Sequence, residues 1–250
     1  MRSVILLLFS FTVTLVLILT QPNAKATDAI PLNYKNANGT APFTGPLANT
    51  GRTYQLLIHS SQLTSFIGKD IKGLTWRIPS NATGNYPVSD ITFASYRIYL
   101  SGSVDPVNRS LTLFANNVVG PQTQVRSGSL TVPAGSYPSG GSPNSFGPEI
   151  SFDNPYPYTG GNLLVEIRHT GFTGTSRSVD GIGTSTSGYG TLFSACWKSG
   201  DTSTYAALQG NFSVVQLITT PTNLNLNLTA FIEGRYDFAS DVMVPDTAKV

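Results

Sequence analysis

The sequence predicts an all-β fold: a single antiparallel β-sandwich, jelly-roll-like, of about ten strands joined by long Gly/Ser-rich loops. Three observations predict it. Short segments rich in Val, Ile, Tyr and Phe alternate apolar with polar residues, the period of a strand with one buried face. Clusters of Gly, Pro, Asn and Ser, with 24 Gly and 16 Pro in the chain, punctuate these segments with turn conformations. No long stretch carries the i, i+3, i+4 spacing of an amphipathic helix.

The elements follow in order. Residues 4–20 carry no charge, Arg2 precedes them, and Ala24-Lys25-Ala26 follows with small residues where a signal peptidase needs them. Residues 1–26 therefore read as a secretory signal peptide cut after Ala26. A retained anchor is the alternative, since such a stretch is long for a signal core and short for a span. No Cys follows the apolar core, so a lipoprotein anchor is not expected. Residues 27–50 read as an N-terminal extended segment, 51–240 as the sandwich domain and 241–250 as a flexible tail. A domain of that size buries roughly 70% of the surface its unfolded chain exposes, so it needs no disulfide.

Within the sandwich the strand candidates are 53–59, 74–78, 90–100, 110–114, 124–132, 149–152, 162–168, 190–197, 212–219 and 225–233. In 90–100, alternation puts Tyr96, Ile98 and Leu100 on one face. The strand 162–168 follows a turn signal at Tyr158-Thr-Gly-Gly161. Residues 60–66 are the only helical candidate and could equally be a turn. Long loops, mobile or functional, are expected at 33–49, 135–147 and 171–190. Trp76 and Trp197 fall in strand patterns and are read as core.

Charge excludes some partners. The chain carries 15 basic and 13 acidic groups; with Arg2 and Lys25 removed, the mature chain is neutral. It has no basic run to displace counterions from DNA or RNA, so no nucleic-acid partner is expected. An anionic membrane surface is disfavoured for the same reason. No later stretch is apolar enough to span a membrane.

Catalytic signals are thin. There is no G-x-S-x-G elbow; Gly183-Thr-Ser-Thr-Ser187 fails at its last position. His59 and His169 are the only imidazoles, each beside a Ser or Thr, and read as structural or surface groups. Cys196 is the sole cysteine and, in Leu192-Phe-Ser-Ala-Cys-Trp197, reads as a small buried hydrophobe. No CxxC or HxxxH spacing supports zinc. Gly181-Ile-Gly183 lacks the rest of a phosphate loop. Glu166 lies inside the strand 162–168, and alternation puts it with Arg168 on a solvent-facing side. The acids give no visible pair for glycosidase chemistry. The chain is therefore not read as an enzyme, and no cofactor is expected. Calcium is the one open option, with Asp153, Asn154 and Asp180 near turns but no D-x-D-x-D-G loop.

Aromatics are more suggestive. Of 11 Tyr, several fall in loops: Tyr137, Tyr156, Tyr158 and Tyr189 are the ligand-binding candidates. A ring with an apolar face and a polar tip suits a sugar or a protein surface. For Tyr156-Pro157-Tyr158 the competing reading is a turn packed on the sandwich edge. Five Asn-X-Ser/Thr sequons begin at Asn38, Asn81, Asn108, Asn211 and Asn227, which matter only in a eukaryotic secretory pathway.

Several pieces, taken in order, carry a resemblance: Arg52-Thr-Tyr-Gln55, Gly73-Leu-Thr-Trp-Arg77, Tyr99-Leu-Ser101, Leu113-Phe-Ala-Asn-Asn117 with Gly120, Val125-Arg-Ser-Gly-Ser-Leu130, and Ile150-Ser-Phe-Asp-Asn-Pro-Tyr-Pro-Tyr158 running into Gly161-Asn-Leu-Leu-Val-Glu-Ile-Arg168. They resemble a family of secreted β-sandwich proteins of environmental bacteria, many with a C-terminal PEP-CTERM type sorting tail. The resemblance implies a jelly-roll-like sandwich exported to the envelope or beyond. It implies no activity, since that family has no established catalytic residues. The chain ends at Asp246-Thr-Ala-Lys-Val250 without the tail, which points to release or non-covalent assembly.

These readings converge on a secreted, non-catalytic binding or matrix module for polysaccharide or cell-surface material. The alternative is a self-associating extracellular subunit, a filament or layer, which low charge and open edge strands permit. A hydrolase on the same fold is third.

Overall fold

The computed structural model describes residues 27–206 and 208–219, together with 236–237 and 242–243. Between Thr27 and Thr219 lie β1 (Thr27–Ile30), β2 (Arg52–Ile58), β3 (Lys69–Trp76), β4 (Ile91–Phe93), β5 (Tyr96–Ser103), β6 (Val118–Arg126), β7 (Leu130–Val132), β8 (Ile150–Tyr158), β9 (Leu163–His169), β10 (Gly181–Ile182), β11 (Phe193–Ser199), β12 (Leu208–Gln209), β13 (Phe212–Ser213) and β14 (Val215–Thr219). The only helical pieces among the described residues are short 3-10 turns.

Two antiparallel sheets hold the principal strands. One has the order β1-β14-β3-β8, the other β12-β11-β2-β9-β5-β6. Take β1, β2, β3, β5, β6, β8, β9 and β14 as first to eighth. The first sheet then reads 1-8-3-6 and the core of the second reads 2-7-4-5. That interleaving is the double Greek key of a jelly roll. The hairpin β11–β12 widens the second sheet beyond β2.

Pleating explains why these residues form this sandwich. Tyr54, Leu56 and Ile58 of β2 stand opposite Ile167, Val165 and Leu163 of β9. Ile98 and Leu100 of β5 continue the same rows, and Tyr96 shares their face as the alternation predicts. These side chains meet Ile71, Leu74 and Trp76 of β3, Ile150 of β8 and Val215 and Leu217 of β14 in one buried core. Each such burial stabilises by about 1.5–3 kcal/mol. Trp76 lies in the core, while Trp197 is half-buried under the Arg52 guanidinium, 4.2 Å from its ring centre.

Several sequence expectations need correction. The N-terminal extended segment 27–50 contributes to the sandwich: β1 is an edge strand of the first sheet, and Gly45–Leu47 is buried. The segment 90–100 is two strands, because β4 leaves to pair with β7 while β5 joins the second sheet. The segment 124–132 breaks at Gly128, whose φ of +83° no β-branched residue would adopt readily. The segment 110–114 forms no strand and leads into a 3-10 turn at Phe114–Asn117. Residues 60–66 form two 3-10 turns. The strand expected at 149–152 runs on to Tyr158 through Pro155 and Pro157. It is an edge strand, where a missing N–H is tolerated. The signal segment 1–26 and the strand 225–233 lie outside the described residues. So does the tail 241–250, except for Val242–Met243, which pairs antiparallel with Tyr236–Asp237.

The expected loops are pinned rather than free. Phe43 bridges Val179, and Ala41 donates its N–H to Gly181 O at 2.9 Å, so the loops 33–49 and 171–190 fasten each other. Asn144 Nδ2 ties the third loop to the carbonyls of Ile78 and Pro79. Among the described residues, no helix is long and apolar enough to cross a membrane.

Candidate functional site

At the end of the sandwich where β3 and β9 finish, the segment 77–91 faces the loop 170–180. Two adjoining open cavities lie there, of about 320 and 370 Å³. Both are lined by Ser176 and Arg177. The first adds Pro42, Pro79, Asn81, Ala82, Thr83 and Ser178. The second adds Tyr86, Pro87, Val88, Ser89 and Ile91 from one wall and Thr173, Gly174 and Thr175 from the other. No carboxylate lines either cavity.

A buried ion pair fixes the walls. Arg77, one residue past β3, is 1% exposed, and its guanidinium lies 2.8 Å from Asp180. It also donates to the carbonyls of Tyr34, Lys35 and Ala37 and lies over the Phe146 ring. Asp180 accepts from Gly39 N at 3.0 Å, and a Cβ on residue 39 would overlap that carboxylate and the Gly181 carbonyl. The Asp180 N–H returns to Arg77 O at 2.7 Å. Three chain segments thus converge on one charge pair whose lone pairs and protons are largely satisfied, the condition under which a buried pair is sustainable.

Tyr86 spans the cleft. Its backbone exchanges two hydrogen bonds with Tyr137, and its hydroxyl donates to Thr175 O at 3.3 Å on the opposite wall. Desolvation pushes that hydroxyl up to about 12, so it stays a neutral donor at ordinary pH. The Arg177 guanidinium sits 5.9 Å from the centre of the Tyr86 ring. Its backbone N–H is held by Leu47 O, but its guanidinium has no hydrogen bond or ion pair among the described residues. Beside it, Val88 is 95% exposed.

The four tyrosines chosen from sequence are not in this cleft. Tyr137 is fully buried, with its ring against Gly147, so it offers no face to a ligand. Tyr158 is also buried and donates its hydroxyl to Gly161 O at 2.5 Å. Tyr189 is committed: its hydroxyl donates to Gly210 O and accepts from Arg109 and from Ala195 N. As ligand platforms these three are corrected to structural residues. Tyr156 is half-buried against the core between exposed Pro155 and Pro157, away from both cavities.

The calcium candidates do not converge either. Asp180 is spent on Arg77 and Gly39. Asp153 accepts from the backbone and hydroxyl of Ser127, and Asn154 is exposed next to it. Among the described residues, no group of three His, Cys, Asp or Glu is placed to hold a metal ion.

Glu166 corrects a further expectation. It is 3% exposed, not solvent-facing. Its carboxylate accepts from Gln55 Nε2 at 2.6 Å and Arg168 Nε at 2.5 Å. Asn117 Nδ2 donates to Gln55 Oε1, and buried Cys196 lies alongside. The segment carrying Phe114 and Asn117 covers this outer row of the second sheet, which alternation alone could not reveal. Burial pushes the Cys196 thiol up to about 12, so it stays protonated at ordinary pH, and it is buried as its sequence context suggests. His169 is buried and stacked on Tyr96, with ring centres 5.4 Å apart. Its Nδ1 accepts from Gly171 N, so Nε2 carries the proton donated to Gly45 O. His59 Nδ1 lies 2.9 Å from Ser61 Oγ, but the pair caps a local turn and lines neither cavity.

Sequence reasoning missed Tyr86 and Arg177. A signal was present, since Tyr86-Pro87 is one of three Tyr-Pro dipeptides in turn-rich segments, with Tyr137-Pro138 and Tyr156-Pro157. Which of the three faces a cleft depends on packing partners far away in sequence. Compared with known proteins, the chain matches no family model, and no curated protein or solved structure matches it.

Proposed function

We propose that the chain is a secreted, non-catalytic binding module that takes a polysaccharide or cell-surface glycan into the cleft between segments 77–91 and 170–180. The observation that carries this reading is the cleft's composition: a tyrosine ring, a guanidinium without an ion-pair partner among the described residues, and Ser, Thr and Asn side chains, with no carboxylate in its walls. Sugar rings present C–H faces that pack on an aromatic ring and hydroxyls that pair with polar side chains. Walls pinned by Arg77 and Asp180 are pre-organised, which lowers the entropy a ligand must overcome. The uncharged segment at residues 4–20 supports export.

The test is depletion of the purified protein from solution by a panel of insoluble polysaccharides and producer cells. Saturable binding is expected, with a loss of about tenfold or more in Tyr86→Ala, in line with a base–aromatic-sized stacking contribution of about 1–3 kcal/mol. Equal binding by Tyr86→Ala and wild type would move the site elsewhere, and Tyr156→Ala would be next.

A second reading, self-association, draws on β6. This outer strand of the second sheet is exposed from Val119 to Gln124. Light scattering at rising concentration tests it; a monomer throughout counts against it.

A further inference from the structure

We infer that the glycan held by this cleft is acidic, and that Arg177 receives its carboxylate or sulfate group. This rests on the reading that the cleft is the glycan site. Of the other arginines among the described residues, Arg52 also has a ring contact in place of a hydrogen bond or ion pair, but it lies over Trp197 and lines neither cavity. Arg77, Arg97 and Arg168 each face a carboxylate. Arg109 and Arg126 donate to protein oxygens. Arg177 has neither kind of partner among the described residues, yet it is the one charged side chain lining either cavity, and it lines both.

Its surroundings are set for an oxyanion. The Tyr86 ring lies beneath the guanidinium and leaves its N–H edges free for a ligand. Ser176 Oγ, beside it, donates to Asn49 Oδ1 and accepts from Asn49 N, which holds that turn in place. A neutral glycan closing over this cleft would replace the water on the cation only with hydrogen bonds to uncharged hydroxyls. An oxyanion would replace the lost water with charge-assisted, often bidentate hydrogen bonds. No acid lines the walls to repel such a group. The sequence has no basic run to attract polyanions from a distance, so recognition is one short-range contact and its salt dependence is shallow.

The experiment compares polygalacturonate, its fully methyl-esterified form, dextran and dextran sulfate as ligands, by affinity electrophoresis. The proteins are wild type, Arg177→Gln and Arg177→Lys. Wild type is expected to bind an anionic form at least tenfold more tightly than its neutral counterpart. Arg177→Gln is expected to bind both forms equally at the weaker level, with its thermal midpoint unchanged, and Arg177→Lys to keep part of the preference. The pectin pair reads a carboxylate and the dextran pair reads a sulfate; a preference in either supports the inference. Equal wild-type binding to charged and neutral forms would overturn it while leaving the glycan-binding reading intact. A charge preference that survives in Arg177→Gln would also overturn it. Binding to none of the four would remove both readings.

Discussion

Arg77 and Arg177 belong to one loop cluster and meet opposite fates. Arg77 is 1% exposed, faces Asp180, three carbonyls and an aromatic ring, and is out of any ligand's reach. Arg177 has only a ring beneath it and lies open in both cavities. Where the chain supplies the complement to a charge, the charge becomes architecture. Where it does not, the complement has to come from outside, from water or from a ligand. The row of buried Gln55, Glu166 and Asn117, with half-buried Arg168 beside it, follows the first pattern: rich in functional-looking groups and tied together by internal hydrogen bonds.

The sharpest way to break this comparison is Asp180→Asn. It leaves Arg77 buried without its counter-charge and is expected to cost about 3–5 kcal/mol, read by urea denaturation. Binding should fall with it, because both walls of the cleft hang on that pair. A loss below about 1 kcal/mol would mean that the walls are held by something else. Next in size is a pH effect at His169. Desolvation pushes its imidazole down to about 4, whereas the unfolded chain takes up the proton near the ordinary value of about 6.5. The unfolded state therefore binds more protons between these values, and stability falls as pH drops through that window. The loss from this group between pH 7.5 and pH 5 should be about 2 kcal/mol. Proton NMR of the His169 ring offers the direct check: titration near pH 6.5 in the folded protein would contradict the buried, neutral assignment.

Much of the fold was legible in the sequence because period-two alternation is a local property. Tyr96, Ile98 and Leu100 needed only their own strand to declare a common face. The site was illegible because exposure depends on which distant segment arrives. Tyr86 and Tyr137 share a Tyr-Pro context and are backbone partners, yet Tyr137 is sealed and Tyr86 forms a cleft wall. Glu166 faces away from the apolar row, as alternation predicts, but it does not meet water, because the cover over that side comes from residues some fifty positions away. Arg177 sits in a loop of Gly, Ser and Thr that carries no periodic signal at all.

Two smaller effects sharpen the same contrast between satisfied and unsatisfied polar groups. The Tyr137 hydroxyl is buried without a hydrogen-bond partner among the described residues, whereas that of Tyr54 donates to Asn211 O and accepts from Ser213 N. Tyr137→Phe is expected to be neutral or to stabilise by up to about 1 kcal/mol, and Tyr54→Phe to destabilise by about 1–2 kcal/mol. The same sign for both would show that these hydroxyls are not distinguished by their partners.

The smallest expected change in stability belongs to Arg177→Gln. Among the described residues no ion pair or hydrogen bond of the guanidinium is lost, only a ring contact on a partly exposed side chain. The effect should stay within about 0.5 kcal/mol, the range for a surface substitution away from any cap, core or charge network. A larger loss would mean that the guanidinium holds the 170–180 loop in place, and Arg177 would then join Arg77 as architecture. A negligible loss, set against the several kcal/mol of Asp180→Asn, leaves an arginine in a cleft wall that the fold does not require, which is the stability result the proposed ligand contact calls for.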